Sequence, residues 1–387
     1  MSVDDGGGGS EAVRPWIVVG PVPPVLHGVA FTTPHVLEGM RRIDALAAHL
    51  DTSDNRPAFT TNRLDVLNVL YALQHTLQMC LLLLRHRRAR VCIPISQGRW
   101  GFLRDAALIA VSRLARRPVT LHLNGGLFAQ FHSEAPAWER RLIRTVLREV
   151  DEAWVLTEAH RGMFEGLIAD DRIRLLENTS EDMAGRGGQL DAGTEREPDE
   201  RLRLLFLSNL FPKKGCLDLI EALERLGERA AGVHLRLIGE AKPEVAEEVA
   251  RRARPLGERG VKVEYGGTRT GEGKAAEYAW ADAFTLPSRY PPEGQPLVLL
   301  EAMSVGLPII ASDHSGIPWT VRAEREGLIV APGDVDALGE AIVRMRDDAD
   351  LRERLGANGR RRYEEAYTNE SFYRALADLA GSGRAGA

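Results

Sequence analysis

Residues 287–318 read PSRYPPEGQPLVLLEAMSVGLPIIASDHSGIP and divide into loop, helix, turn, strand and loop. Pro296 predicts the first helical position, where a missing N–H costs nothing, and Gly306 predicts the residue just past the helix end. The LVLLEAMSV between them is mostly apolar, which predicts a largely buried helix. Its N-terminus follows a Pro- and Gly-rich loop. Free backbone N–H groups and the helix dipole make such a start a site for an anion. Glu293 lies in the loop and Glu301 in the second helical turn. A carboxylate in a buried helix requires a partner, because burying it alone costs several kcal/mol.

A loop-helix-strand unit of this kind is common scaffold in α/β proteins. The spacing E-G-x-P-x4-E followed by G-x-P-x-x-A is narrower, and it resembles the E-x7-E signature of retaining glycosyltransferases of the GT-B fold, family 4 (glycosyl transferases group 1). The resemblance implies an α/β protein of two Rossmann-like, doubly wound parallel-sheet domains facing a cleft. It implies that Glu301 holds the ribose of a nucleotide-sugar donor and that Glu293 faces the sugar hydroxyls. The backbone of Gly294, Gln295, Pro296 and Leu297 would then hold the sugar and diphosphate.

Length and composition fit this reading. A chain of 387 residues is long enough for two cores, and 44% hydrophobic with 27% charged residues is ordinary for a globular protein. A net charge of −5 gives no general case for nucleic acid. The cysteines, Cys80, Cys92 and Cys216, have no C-x-x-C spacing, which argues for a reducing compartment and against a zinc site. The longest apolar run, residues 79–84, is too short to span a bilayer. No signal-peptide pattern opens the chain, and its DDGGGGSE stretch is excluded from the fold. The expected location is the cytoplasm, with a peripheral place at the inner membrane face as the extended form.

In the first half, residues 15–20 (PWIVVG) predict a buried strand, followed by the loop PVPPVLHG and a helix over 34–50. The family carries a Gly-Gly pair in this loop. Here His27-Gly28 stands there, so Gly28 is the candidate for close approach to the diphosphate, and His27 reads equally well as a polar loop residue. Residues 64–88 predict a helix, 90–95 a strand and 101–116 a helix. Between Arg85 and Arg117 stand nine Arg against Asp105 alone. That is either a set of solvated helix ends or a basic surface for anionic lipid or a phosphorylated acceptor. ISQGRWGFLRD resembles a stretch of some bacterial members of the family.

Residues 118–124 (PVTLHLN) alternate as a strand, with Thr120, His122 and Asn124 on one face. Open α/β sheets bind ligands at the carboxyl ends of their strands. The family often has a His just before the glycine here. Asn124 occupies that position and His122 lies two residues earlier, so both are candidates for contact with the donor sugar. Residues 136–150 predict an amphipathic helix, read as core-packing first and membrane-binding second. Strands follow at 152–156 and 172–176, and Asn178 matches the family's exit from the first domain.

The domain expectation is residues 13–178 for an acceptor-side domain, 179–200 for a linker rich in Gly, Asp, Glu and Arg, and 201–366 for the nucleotide-sugar domain. The last helix, 367–380, crosses back onto the first. Strands are expected at 202–208, 233–239 and 261–265, with helices at 216–226 and 243–256. The loop NLFPKKG resembles the family's R-x4-K-G element, with Lys214-Gly215 in place and Asn209 where the Arg belongs. A strand-loop-helix with a cation at the helix start suits a diphosphate. The GGTRTGEG loop is read as the nucleobase side, through Gly267 and Thr268. Residues 277–287 predict a short helix and a strand. In the SGIPW segment Trp319 replaces the family's Glu. Asp348-Ala349-Asp350 opens a helix rather than ending a strand, so it reads as a capping cluster and not a metal-binding D-x-D.

The function implied is sugar transfer from a nucleotide-diphosphate donor to an acceptor hydroxyl, in bacterial polysaccharide or glycoconjugate synthesis. Neither metal nor cofactor is expected. The co-substrate is a UDP- or GDP-sugar, and the acceptor is a carbohydrate, lipid-linked or small molecule. The alternatives are an epimerase or hydrolase of the same fold, and a silent nucleotide-sugar-binding subunit, which Asn209 and the altered glycine loop would allow.

Overall fold

The computed structural model describes residues 14–23, 28–54, 66–184, 186 and 201–381. His27 and most of the 179–200 linker lie outside them. Two six-stranded parallel sheets form the cores of two lobes.

The first sheet is built from β1 (Trp16–Gly20), β2 (Leu46–Asp51), β3 (Arg90–Pro94), β4 (Val119–Leu123), β5 (Glu152–Val155) and β6 (Ile173–Leu175), in the order β2-β1-β3-β4-β5-β6. The connecting helices are α1 (Gly28–Arg42), α2 (Val66–Arg85), α3 (Arg99–Leu114), α4 (Phe128–Glu134) and α5 (Ala137–Arg148). The strands are near-continuous apolar runs because both faces are covered. On one face Met79 and Leu83 of α2, Phe102 and Ile109 of α3 and Ile143 of α5 pack together.

The second sheet contains β7 (Leu202–Leu207), β8 (Val233–Ile238), β9 (Lys262–Gly267), β10 (Ala283–Leu286), β11 (Ile309–Ser312) and β12 (Gly327–Val330), in the order β12-β11-β10-β7-β8-β9. Its helices are α6 (Cys216–Leu226), α7 (Pro243–Gly257), α8 (Gly271–Trp280), α9 (Leu297–Ser304), α10 (Ile317–Thr320), α11 (Val335–Asp347) and α12 (Ala349–Arg362). Each sheet reverses its strand order beside the first strand of its lobe. In open α/β sheets the crevice at such a switch point, outside the carboxyl ends of the strands, binds ligands.

The chain crosses between lobes twice. It leaves the first sheet after β6, and it returns through a π-helical turn (Tyr363–Tyr367) into α13 (Asn369–Gly381). Phe372, Tyr373, Leu376 and Ala380 of α13 pack on Val36, Leu37 and Met40 of α1, with Trp16 and Trp154 beneath. Gly39 lets the helices approach this closely, since a Cβ there would stand 2.6 Å from Leu376 Cδ2.

Several sequence expectations are corrected. The helix expected over 34–50 begins six residues earlier, ends at Arg42, and gives way to β2. LAAHLD is rich in Ala and Leu, and its strand character comes from pairing with β1. α4 was not anticipated between the Gly-Gly pair and α5. α8 starts at Gly271, inside the stretch taken as loop. Pro296 is the cap of α9, with Leu297 the first helical residue, while Gly306 takes the expected left-handed conformation (φ 73°) just past the end. Asp348 caps α12, accepting a hydrogen bond from the Leu351 N–H at 2.8 Å.

Candidate active site

The loop before α9 and the helix itself place the two glutamates of the E-x7-E spacing on one side of the second sheet's carboxyl edge. Glu293 is 6% exposed and Glu301 7% exposed. Each is compensated by one ammonium and one hydroxyl. Lys214 Nζ donates to both oxygens of Glu293, at 2.8 and 2.7 Å, and Ser288 Oγ donates to Oε2 at 2.7 Å. Lys274 Nζ donates to Glu301 Oε1 at 2.6 Å, and Tyr278 OH donates to Oε2 at 2.7 Å. Burial raises the Tyr278 hydroxyl pKa well above its ordinary value, and the adjacent Glu301 charge adds to this. It therefore stays a donor. Each carboxylate keeps acceptor capacity beyond these bonds, because two oxygens offer about four lone-pair sites.

Lys214 is aimed by its surroundings. It closes the short 3-10 turn Pro212–Lys214, and Gly215 follows with φ 90°. A Cβ at Gly215 would stand 2.6 Å from the Pro287 carbonyl oxygen, so the Lys loop and the Glu293 loop touch through bare backbone. The Lys214 ammonium also lies 4.9 Å from the centre of the Tyr290 ring. Asn209 is exposed in the same loop, where its carbonyl accepts from Phe211 N at 2.8 Å. Gly267 ends β9 with φ 70°, its carbonyl accepting from Gly239 N at 2.9 Å, and Thr268 is exposed beside it.

The first lobe meets this loop through glycines. Gly126 N donates to Pro292 O at 3.2 Å, and within the second lobe Ser315 Oγ donates to Glu293 O at 2.5 Å. A Cβ at Gly126 would stand 2.3 Å from Glu293 O, and one at Gly294 would stand 3.3 Å from Asn124 O. Asn124 is therefore brought to the facing loop. Its Oδ1 accepts from Thr32 Oγ1 of α1 at 3.1 Å. Gly28 begins α1 and is exposed, and a side chain there would meet nothing within 4 Å.

One expected site residue, His122, lies in the core, and the side chain of another, Gln295, is engaged away from the donor. His122 is 4% exposed, with its ring edge-on to Trp154 in the core, and burial lowers its pKa to about 4. It is a neutral core residue rather than a cleft residue. The Gln295 side chain and carbonyl serve the crossing between lobes, leaving its backbone N–H out of these bonds: its Oε1 accepts from Asn178 N at 2.6 Å, its carbonyl accepts from Asn178 Nδ2 at 3.0 Å, and its Nε2 donates to Glu177. Trp319 is half exposed, and its carbonyl accepts from Arg362. Lys274, Tyr278, Ser288 and Tyr290 were missed. Lys274 and Tyr278 share a helix face at i, i+4, a spacing visible once α8 is known to start at Gly271.

Two parallel-sheet lobes, with Glu293 at their joint, have the GT-B glycosyltransferase architecture. HepE of Anabaena, solved in complex with UDP, superposes with a TM-score of 0.71 at 19% identity, covering 95% of this chain and all of that one. WaaG, a glycosyltransferase involved in lipopolysaccharide biosynthesis, gives 0.65 at 17% identity over 95% of this chain and all of its own. Residues 191–362 match the family model of the glycosyl transferases group 1.

Among sequences, a GDP-mannose-dependent alpha-(1-6)-phosphatidylinositol monomannoside mannosyltransferase of Mycobacterium tuberculosis is 32% identical over 185 residues, 46% of this chain and 47% of its own. The amylovoran biosynthesis glycosyltransferase AmsK of Erwinia amylovora is 31% identical over 183 residues, 46% of this chain and 44% of its own. The match thus spans about half the length of these relatives.

Proposed function

We propose that this protein transfers a sugar, with retention of configuration, from a nucleotide-diphosphate donor to an acceptor hydroxyl. The observation that carries the reading is the Lys214–Glu293 pair, 2.7 Å apart and buried at the joint of the lobes beside the start of α9. Glu293 orients the sugar through its hydroxyls. Lys214 and the free N–H groups at the start of α9 neutralise the departing diphosphate, which eases breaking of the C1–O bond. Glu301, fixed by Lys274 and Tyr278, accepts from the ribose hydroxyls. Asn124 approaches the sugar from the first lobe. The C1–O bond to the diphosphate breaks and the bond to the acceptor oxygen forms on the same face of the sugar. The acceptor proton passes to the departing phosphate oxygen.

No step in this scheme calls on a metal or a separate cofactor. The donor is a UDP- or GDP-sugar, the two donor types that appear in the names of the relatives and neighbours. A role in polysaccharide or glycolipid synthesis is supported by the names of those relatives. Gly267 and Thr268 are the proposed base side, and Gly28 the proposed approach to the diphosphate.

The test begins with a thermal-shift screen of UDP-, GDP-, ADP- and dTDP-sugars, which reads donor binding without the acceptor. Nucleoside diphosphate release is then followed with and without candidate acceptors, and the anomeric configuration of the product is read by NMR. Release that depends on acceptor, survives EDTA and disappears in Lys214→Met supports the scheme. Donor binding without turnover under every acceptor would support a silent binding subunit, the reading that Asn209 in the Arg position favours.

A further inference from the structure

α2 buries one face and leaves the more apolar one open. His75, Met79 and Leu83 turn inward. Leu70, Leu73, Leu77, Leu81 and Leu84, on the opposite face at three- and four-residue spacing, are each 54–66% exposed. A helix covering a sheet normally turns its polar face outward. With 20 residues, α2 is also long and apolar enough in composition to cross a bilayer, although the polar residues along it kept any single apolar run short. No Asp or Glu occurs from Val66 to Arg104.

The basic stretch resolves into paired and unpaired arginines. Arg90, Arg99, Arg104 and Arg113 each face a carboxylate. Among the described residues, Arg85, Arg87 and Arg88 have no ion-pair partner and stand exposed at the C-terminal end of α2. Leu114, 83% exposed, ends α3, which packs beside α2, and Arg116 stands just beyond it. Both helices end where the next strand begins, at the amino edge of the first sheet.

We propose that α2 lies in the surface plane of an anionic bilayer, with its leucines at the acyl boundary and Arg85, Arg87 and Arg88 on lipid phosphates. Charge decides against a second copy as the occupant. α2 carries no acid, so neither a parallel nor an antiparallel pairing of two α2 faces gives these arginines a counter-charge on the facing helix. An anionic surface supplies it, and each basic residue near such a surface adds about 1 kcal/mol. Lying flat also keeps Met79 and Leu83 in the core, which spanning the bilayer would not. The start of α2 is on the carboxyl-edge side of the sheet, so docking sets the cleft beside the lipid surface, where a lipid-borne hydroxyl could reach it.

Flotation of the full chain with vesicles tests this without needing turnover, so its outcome is separable from that of the sugar-transfer reading. The chain should float with vesicles of phosphatidylcholine mixed with phosphatidylglycerol, and less with phosphatidylcholine alone. Arg85→Gln/Arg87→Gln/Arg88→Gln should weaken partitioning on the order of 100-fold, which is three charges at about 1 kcal/mol each. Leu73→Ser/Leu77→Ser/Leu81→Ser should abolish it with the circular dichroism and melting midpoint unchanged. Three results would overturn the proposal. The wild type could stay unbound to the mixed vesicles. It could resist extraction by alkaline carbonate, which marks a spanning helix. It could sediment as a dimer that the leucine variant splits, with no flotation by either.

Discussion

Glu301 receives two hydrogen bonds inside the second lobe, from Lys274 and Tyr278, and each sets its own expectation. Tyr278→Phe keeps the ring and removes a donor to a charged acceptor. Stability should fall by about 1.5–3 kcal/mol, read from the urea midpoint. Glu301→Ala should raise the donor Kd by roughly ten- to a hundredfold, the loss of one charged hydrogen bond to ribose, with circular dichroism unchanged. An unchanged Kd would remove Glu301 from the ribose site. The buried histidines set a pH dependence. Burial lowers the pKa of His122 and of His160 from 6.5 to about 4. Between these values the unfolded chain binds protons that the folded chain does not. The contribution of each is therefore full above about pH 6.5 and falls away as pH drops toward 4. Urea midpoints between pH 4 and 7 should slope accordingly, and His122→Gln should flatten the slope. The structure brings Glu293, Lys214 and Asn124 close together at the joint, and their local motif spacing is what made them candidates in the sequence. Ser288 and Tyr278 were not, because what assigns them is a contact made only in the folded lobe. His122 was misplaced because strand alternation gives a face of the sheet but not whether that face is a cleft or a core.

At the scale of elements, the strands of both sheets were largely readable as short apolar runs, and α6 was read to the residue. The errors fall where composition and context disagree. LAAHLD has helix-favouring residues, yet parallel pairing with β1 makes it a strand. The glycines before Lys274 suggested a loop, yet three of them, at 266, 267 and 271, only bracket the turn into α8. α2 was recognised as a helix, but periodicity alone does not say which of two apolar faces meets the sheet. α13 is tied to the first lobe by apolar packing at Leu376, which is fully buried. Leu376→Ala should cost about 2–5 kcal/mol in the unfolding of that lobe. The second lobe should keep its donor-induced thermal shift, since its core does not include Leu376.

For the whole molecule, the joint rests on two features of opposite kind. At the cleft, the lobes meet through bare backbone at Gly126 and Gly294. A methyl at Gly126 would collide with the Glu293 carbonyl, so Gly126→Ala should hold the lobes apart. Small-angle scattering should show a larger radius of gyration, and turnover should fall while each lobe stays folded. At the far side, the two chain crossings are stitched together. Thr179 Oγ1 donates to Tyr367 O at 2.8 Å, and Tyr363 OH donates to Ser180 O at 2.9 Å. The return of α13 also fixes an order of assembly. During synthesis the ribosome must deliver the entire second lobe before the segment that seals Trp16, Val36 and Met40 emerges. Until then the nascent first lobe presents an oily flank to solvent, so this chain should depend on chaperones that shelter early-made surfaces more than a chain whose lobes finish in sequence.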